Sequence, residues 1–192
     1  MVDKPRETIR AFVALDLDST SLRRVARVAD RLRMGSGAPS ATWVPPTGMH
    51  VTLKFMGELP IDAAAPLAET LRPLVEGKAA PSACPFRLAA FPKLEAAHVM
   101  VAELQDTSGE LAKLAEQIDA LTLAFGIQRE DRAFRPHVTL ARLKRPYDAR
   151  RWLRGELAES AGECRAVALT MYRSELGASG AKHIPLAKLV FS

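Results

Sequence analysis

"HVTL" occupies residues 50–53 and appears again at 137–140. The first copy follows "WVPPTGM" (43–49) and the second follows "RAFRP" (132–136), so each comes after a proline-bearing run. Two of the four histidines in the chain lie in these copies. Successive side chains on a strand point to opposite faces. His50 and Thr52 therefore share one face, with Val51 and Leu53 behind them, and His137 and Thr139 repeat the arrangement. Each copy offers an imidazole and a hydroxyl on a polar face, anchored by two apolar residues. A lone histidine on a strand is ordinarily structural, and threonine is common in strands. An exact tetrapeptide repeat in matching surroundings argues instead for a paired site.

Working outward, short strand-like runs alternate with longer helical ones. Strands are expected at "RAFVALDL" (10–17), "TWV" (42–44), "HVTLKFMG" (50–57), "CPFRLAAF" (84–91), "HVMVAEL" (98–104), "HVTLARL" (137–143), "CRAVALTMYRSEL" (164–176) and "HIPLAKLVF" (183–191). Asp18-Ser19 offers an N-cap to a helix over 20–34, followed by a loop at "GSGAPSA" (35–41). A second helix is expected over 60–77, disturbed by Pro66 and Pro73. A third runs over 107–126 and ends at Gly126. The order reads as two similar halves, each carrying one HVTL, in an α+β layer architecture.

Composition limits the alternatives. A chain of 192 residues makes one large domain or two small lobes packed together, and 1–192 is read as a single domain. An apolar fraction of 48% and a charged fraction of 26% are ordinary for a globular protein. No apolar run approaches the roughly 20 residues that span a bilayer. The apolar stretch Ala11 to Leu15 is too short for a signal-peptide core, so a cytoplasmic protein without a membrane partner is expected. Cys84 and Cys164 make neither a disulfide framework nor a CxxC pair. The net charge of +5 suits an anionic ligand such as a nucleotide or RNA without requiring one.

Two HxT faces meeting across a cleft suit phosphodiester cleavage. One imidazole activates the nucleophile and the other protonates the leaving oxygen, both near neutral pH. The threonine hydroxyls can bond the non-bridging oxygens, where charge builds up. No cysteine, clustered carboxylate or further histidine accompanies either motif, so neither a metal nor any other cofactor is expected.

The two motifs and their flanks, "WVPPTGMHVTLKFMGE" (43–58), "EDRAFRPHVTLARLK" (130–144) and "YRSELGASGAKH" (172–183), together with "RAFVALDL", resemble the 2H phosphoesterase superfamily. Within it the chain is similar to the RNA 2′,3′-cyclic phosphodiesterases, also called 2′-5′ RNA ligases of the LigT/ThpR type. The resemblance runs from about residue 9 to the C-terminus. It implies a bilobal fold, two pseudo-symmetric lobes each with an antiparallel sheet and outer helices, and a catalytic cleft between them. It implies hydrolysis of an RNA or nucleoside 2′,3′-cyclic phosphate to a 2′-phosphate. His50 is then the acid and His137 the base, labels the sequence leaves interchangeable, while Thr52 and Thr139 grip the phosphate. The partner is an RNA or oligonucleotide with a 2′,3′-cyclic phosphate end. No obligate protein partner is evident, and a monomer is expected. Two alternatives stand beside this: 2′-5′ ligation by the reverse reaction, and a nucleotide-binding module without turnover.

Further candidates surround the motifs. Lys54 is placed on the His50 and Thr52 face. Arg135, two residues before His137, and Arg142, two past Leu140, are placed with His137 as phosphate or backbone contacts. Phe55 and Phe134 are candidates for stacking on a base. Arg173, in "YRSEL", matches a family position near the cleft. His98 and His183 belong to no HxT motif and are read as non-catalytic, and Trp43 as a packing anchor. Relatives often carry an aromatic where this chain has Met100, and Tyr where it has His183.

Overall fold

The computed structural model of the chain describes residues 7–35, 40–150, 153, 162–177 and 180–192. Its strands are β1 (Thr8–Leu17), β2 (Ala41–Trp43), β3 (His50–Pro60), β4 (Ser82–Phe91), β5 (Ala97–Gln105), β6 (His137–Tyr147), β7 (Cys164–Gly177) and β8 (Gly180–Val190). Its helices are α1 (Ser19–Met34), α2 (Ala64–Leu71) and α3 (Glu110–Thr122). All eight expected strands form. The middle of the expected loop at 35–41, residues 36–39, lies outside the described residues.

Local chemistry sets the start of α1 and the ends of α2 and α3. Asp18 caps α1, its Oδ1 accepting from the Ser21 amide at 2.6 Å. Arg31 and Arg33 occupy the last turn, where cations suit the helix dipole. The second helix is shorter than the expected 60–77. Pro66 is tolerated because it falls in the first turn, where no intrahelical N–H is needed, and Pro73 ends the element in a single 3₁₀ turn at Arg72–Leu74. Leu111, Leu114, Ala115 and Ile118 form the buried stripe of α3, and a 3₁₀ turn then stops at Gly126 with φ 75°.

The architecture is α+β, a mostly antiparallel sheet carrying few helices. Strand pairing sorts into two four-stranded groups, β3–β1–β7–β8 and β2–β6–β5–β4. The groups touch at two narrow junctions: Val51 pairs with Val138 between β3 and β6, and Ser82 and Ala83 pair with Arg165 and Cys164 between β4 and β7. These groups are not the two sequential halves read from the sequence. The first group takes β7 and β8 from the end of the chain, while β2 crosses over to β6 and away from β3. The β4–β5 hairpin forms around "PKLEA" as expected.

The main core lies beneath β1, β3 and β7 and the helices, with Val13, Leu15, Val51, Leu59, Leu67, Ile118, Val138 and Leu140 fully buried. A smaller cluster gathers Ala90, Ala97, Met100, Ala141 and Leu143, with Trp43 packed against it. Met100 is thus a core residue opposite Ala141.

Candidate active site

The prolines before each motif set the start of its strand. Pro46–Gly48 forms one 3₁₀ turn, closed by the Gly48 amide on the Pro45 carbonyl at 2.8 Å, and releases the chain into β3 at His50. Before the second motif, the Pro136 carbonyl accepts from the Leu104 amide at 2.9 Å. The end of β2 is tied to the second motif directly, since the Val44 amide donates to the Leu140 carbonyl at 2.9 Å. The segment leading into one HVTL is therefore pinned to the other.

At the junction itself the antiparallel pair Val51–Val138 turns both valines into the core. Carried one residue either way, this register sets His50 beside Thr139 and Thr52 beside His137. In a regular ladder such directly opposed residues have Cβ atoms roughly 4.5–5.5 Å apart, and the diagonal pair His50 and His137 is roughly 7–8 Å apart, about the reach needed to bracket one phosphate. All four residues are half-buried.

Both strands then break alternation at the same place. Thr52 pairs with Ala14 and Lys54 with Val13, leaving Leu53 as an extra residue; Thr139 pairs with Val101 and Ala141 with Met100, leaving Leu140 extra. Each is a bulge that reverses the faces beyond it. Lys54, expected beside His50 and Thr52, is instead turned into the interior, only 4% exposed. There its Nζ meets Asp119 Oδ1 of α3 at 2.5 Å and the Gln128 carbonyl at 2.6 Å. Phe55 takes the vacated face, 64% exposed and 6.0 Å from the Phe12 ring. In β6 the same bulge puts Ala141 inside and Arg142 outside. Strict alternation would have set Arg142 with Leu140 on the core side. Its charge acts on His50, His137 and His183 together, and among the described residues no carboxylate pairs with it.

Each histidine faces a carboxylate on the neighbouring strand. Asp16 of β1 is the register partner of His50, and Glu103 of β5 that of His137. Asp16 accepts from Thr170 Oγ1 at 2.9 Å and from the Tyr172 hydroxyl at 2.6 Å, with Lys188 Nζ at 3.3 Å. Burial, and the bond it donates to Asp16, push the Tyr172 hydroxyl pKa far up, so it remains a donor. Glu103 is buried between Arg87 and Arg135. Burial works to raise its pKa, but hydrogen bonds and charge from the two guanidiniums hold it below the ordinary range.

The histidines differ in their surroundings. His50 lies in an aromatic box, stacked on Phe12 at 5.1 Å and Tyr172 at 5.8 Å, with His183 edge-on at 5.4 Å. Burial foremost, then His183 and Arg142, push its pKa down to about 4 against the raising effects of Asp16 and the Gly48 backbone. His137 meets the edge of Phe91 at 5.0 Å, and its pKa is lowered by burial, opposed by the Arg135 backbone and Glu103. His137 Nδ1 lies 2.6 Å from the Arg135 carbonyl. A carbonyl can only accept, so Nδ1 carries the proton and Nε2 is left to exchange one with a ligand.

The other candidates sort as follows. Arg135 stays near His137, held by Glu103 and lying 4.7 Å over the Phe91 ring. Phe134 is half-buried against the main core. Arg173 alternates away from Tyr172 and pairs with Glu175 at 3.1 Å. His98 is exposed on β5. Sequence reasoning passed over Asp16, Glu103, Phe12, Phe91 and Tyr172, and set His183 aside. Strand register alone brings them to the site, and a single chain does not spell out register.

An antiparallel framework with two HxT strands meeting at its seam places the chain among the 2H phosphoesterases. The family model of the 2′-5′ RNA ligase superfamily matches residues 21–178, and the chain belongs to that family. It is 31% identical over 126 residues to an RNA 2′,3′-cyclic phosphodiesterase of Aeropyrum pernix, covering 63% of this chain and 66% of that relative, just under two thirds of its length. It is 28% identical over 180 residues to a protein of the same name from Methanothermobacter thermautotrophicus, covering 90% of this chain and 93% of that one. Among solved structures, the Thermus thermophilus protein TT0787 superposes with a TM-score of 0.76 at 25% identity, over 95% of this chain and 98% of that one.

Proposed function

We propose that this chain opens RNA or nucleoside 2′,3′-cyclic phosphates by hydrolysis, without a metal, in a cleft whose walls are the two strand groups. The observation that carries this is the Val51–Val138 junction, whose register supports the two HxT faces lying side by side, with the Arg142 charge acting on both histidines. One histidine takes a proton from water as the water oxygen bonds to phosphorus. The other gives a proton to O3′ as the P–O3′ bond breaks, leaving a 2′-phosphomonoester and a free 3′-hydroxyl. Thr52 and Thr139 donate to the non-bridging oxygens, and Arg142 offsets the growing charge. The surroundings favour His50 as base and His137 as acid. A carboxylate opposes the depression at each histidine. Burial, His183 and Arg142 still carry His50 far down, to about 4, while at His137 the Arg135 backbone carbonyl also opposes it. In the singly protonated pair the proton then rests on His137.

The names of the relatives support the substrate class, and the net charge of +5 suits an RNA end. Among the described residues no helix is long and apolar enough to cross a membrane, and no three His, Cys, Asp or Glu side chains cluster as a metal site requires. We read the protein as a cytoplasmic monomer acting on RNA. The test is turnover of an oligonucleotide ending in a 2′,3′-cyclic phosphate, with and without EDTA. A 2′-phosphate product at the same rate in both is expected; tight binding without turnover supports the binding-module alternative, and loss on chelation overturns the metal-free reading. The same residues serve ligation when a 5′-hydroxyl replaces water. An excess of 5′-hydroxyl RNA in the assay shows which acceptor prevails.

A further inference from the structure

His183 is the histidine that the two motifs leave over. It stands on β8 opposite Ser174, half-buried, with its ring edge-on to Phe12 at 4.9 Å and to His50 at 5.4 Å, and 6.3 Å from Tyr172. Its Nδ1 is sealed from solvent and has no hydrogen-bond partner among the described residues. A buried N–H without an acceptor is the costlier orphan, and an unused lone pair is better tolerated. The neutral ring therefore carries its proton on Nε2. Protonating the other nitrogen would strand a buried N–H with no acceptor. Burial and the nearby Arg142 charge likewise hold the pKa of this ring down. The outcome is a fixed, uncharged donor one ring away from His50.

We propose that His183 is a substrate-binding residue whose Nε2–H donates to an oxygen of the phosphoribosyl group held at His50. This rests on the cyclic phosphodiesterase reading and deepens it by naming a third ring on the substrate. The chemistry suits the position. Phosphate and ribose oxygens are acceptors, and a carboxylate here would repel them. A lysine or arginine would depress His50 further. A neutral N–H binds the anion without placing a permanent charge beside His50.

The test uses the intact chain, cytidine 2′,3′-cyclic phosphate as substrate and cytidine 2′-phosphate as product. H183F keeps a flat ring against Phe12 and removes the donor. We expect KM and the product Kd to rise about tenfold, as for one hydrogen bond to a charged acceptor, with kcat little changed. H183Q, which restores a neutral N–H, should recover part of the loss. A ring with a merely packing role would show the reverse: lost thermal stability with KM unmoved. Should H183F fail to fold, ¹⁵N NMR of the wild type decides, with the His183 proton expected on Nε2 and its resonance moving when cytidine 2′-phosphate is added. Wild-type turnover with H183F unchanged, a proton found on Nδ1, or a resonance blind to the product each overturns the inference and leaves the cyclic phosphodiesterase reading standing. A wild type that neither binds nor turns over these nucleotides overturns both.

Discussion

The strands β3 and β6 are the same device built twice, and they part company one residue past the bulge. Both start with HVTL after a proline, both bulge at the leucine, and both set a histidine opposite a carboxylate on the adjoining strand. At the first position past the bulge β3 has Lys54, paired with Asp119 in the interior, where β6 has Ala141. At the next, β3 presents Phe55 and β6 presents Arg142. The carboxylates also differ, since Asp16 is held largely by neutral hydroxyls and Glu103 by two guanidiniums. A repeated scaffold fixes where two imidazoles stand, and the unrepeated residues around them give each its own pKa shift.

The strongest way to break the comparison is to remove its centre. His50→Ala and His137→Ala are each expected to lower kcat by about 10²- to 10⁴-fold, the usual weight of a positioned acid or base. Acting on one step as a unit, they should give a double mutant little worse than the worse single one. A 2′,3′-cyclic substrate with sulfur in place of O3′ sharpens the test, because a thiolate departs without protonation. On that substrate His137→Ala should lose far less than His50→Ala. Equal losses would remove the acid role assigned to His137.

The Lys54–Asp119 ion pair behind β3 gives the next effect. Asp119→Ala leaves Lys54 charged and 4% exposed with only the Gln128 carbonyl beside it, and should cost about 3 kcal/mol of stability in urea unfolding. Lys54→Met combined with Asp119→Leu should return much of that loss. Turnover by the folded fraction should be unaffected. If the single mutant lost activity without stability, Lys54 would belong to the site after all.

Threonine truncation is expected to be milder. Thr52→Ala and Thr139→Ala each remove one donor to the phosphate, about 10- to 100-fold in kcat/KM. Similar losses at the two positions would mean that the phosphate sits symmetrically over the junction. A gap of more than tenfold would place it on one strand's side.

How much of this could be read beforehand follows from what local sequence encodes. The eight strands were legible because each is an apolar run bounded by turn residues, and the HxT faces because alternation is local. The crossing of β2 to β6 and the return of β7 and β8 to β1 were not, because nonlocal pairing leaves no mark on the segments themselves. Lys54 was assigned the wrong face for a simpler reason: one bulged residue inverts the side chains that follow it up to the next irregularity, here between Phe55 and Gly57. The carboxylates Asp16 and Glu103 looked like ordinary strand polar residues until register set them against histidines.

Those carboxylates carry the subtlest prediction. As base, His50 must be neutral, so kcat/KM rises with pH through its pKa of about 4. As acid, His137 must be protonated, so kcat/KM falls as pH rises through a pKa held below the ordinary histidine value. The optimum should therefore lie on the acid side of neutrality. Glu103 raises the pKa of His137. Glu103→Gln withdraws that charge while Arg135 and Arg142 still lower the pKa, so the alkaline limb should move to lower pH and the profile should narrow. Asp16 raises the pKa of His50. Asp16→Asn should move the acid limb to lower pH and widen the profile, with little change at neutral pH. The two substitutions thus act on opposite limbs, and kcat/KM measured across the acid range separates them. If both moved the same limb, the histidines would not titrate as two unequal groups each tuned by its own strand neighbour, and the asymmetry would have to originate in the substrate.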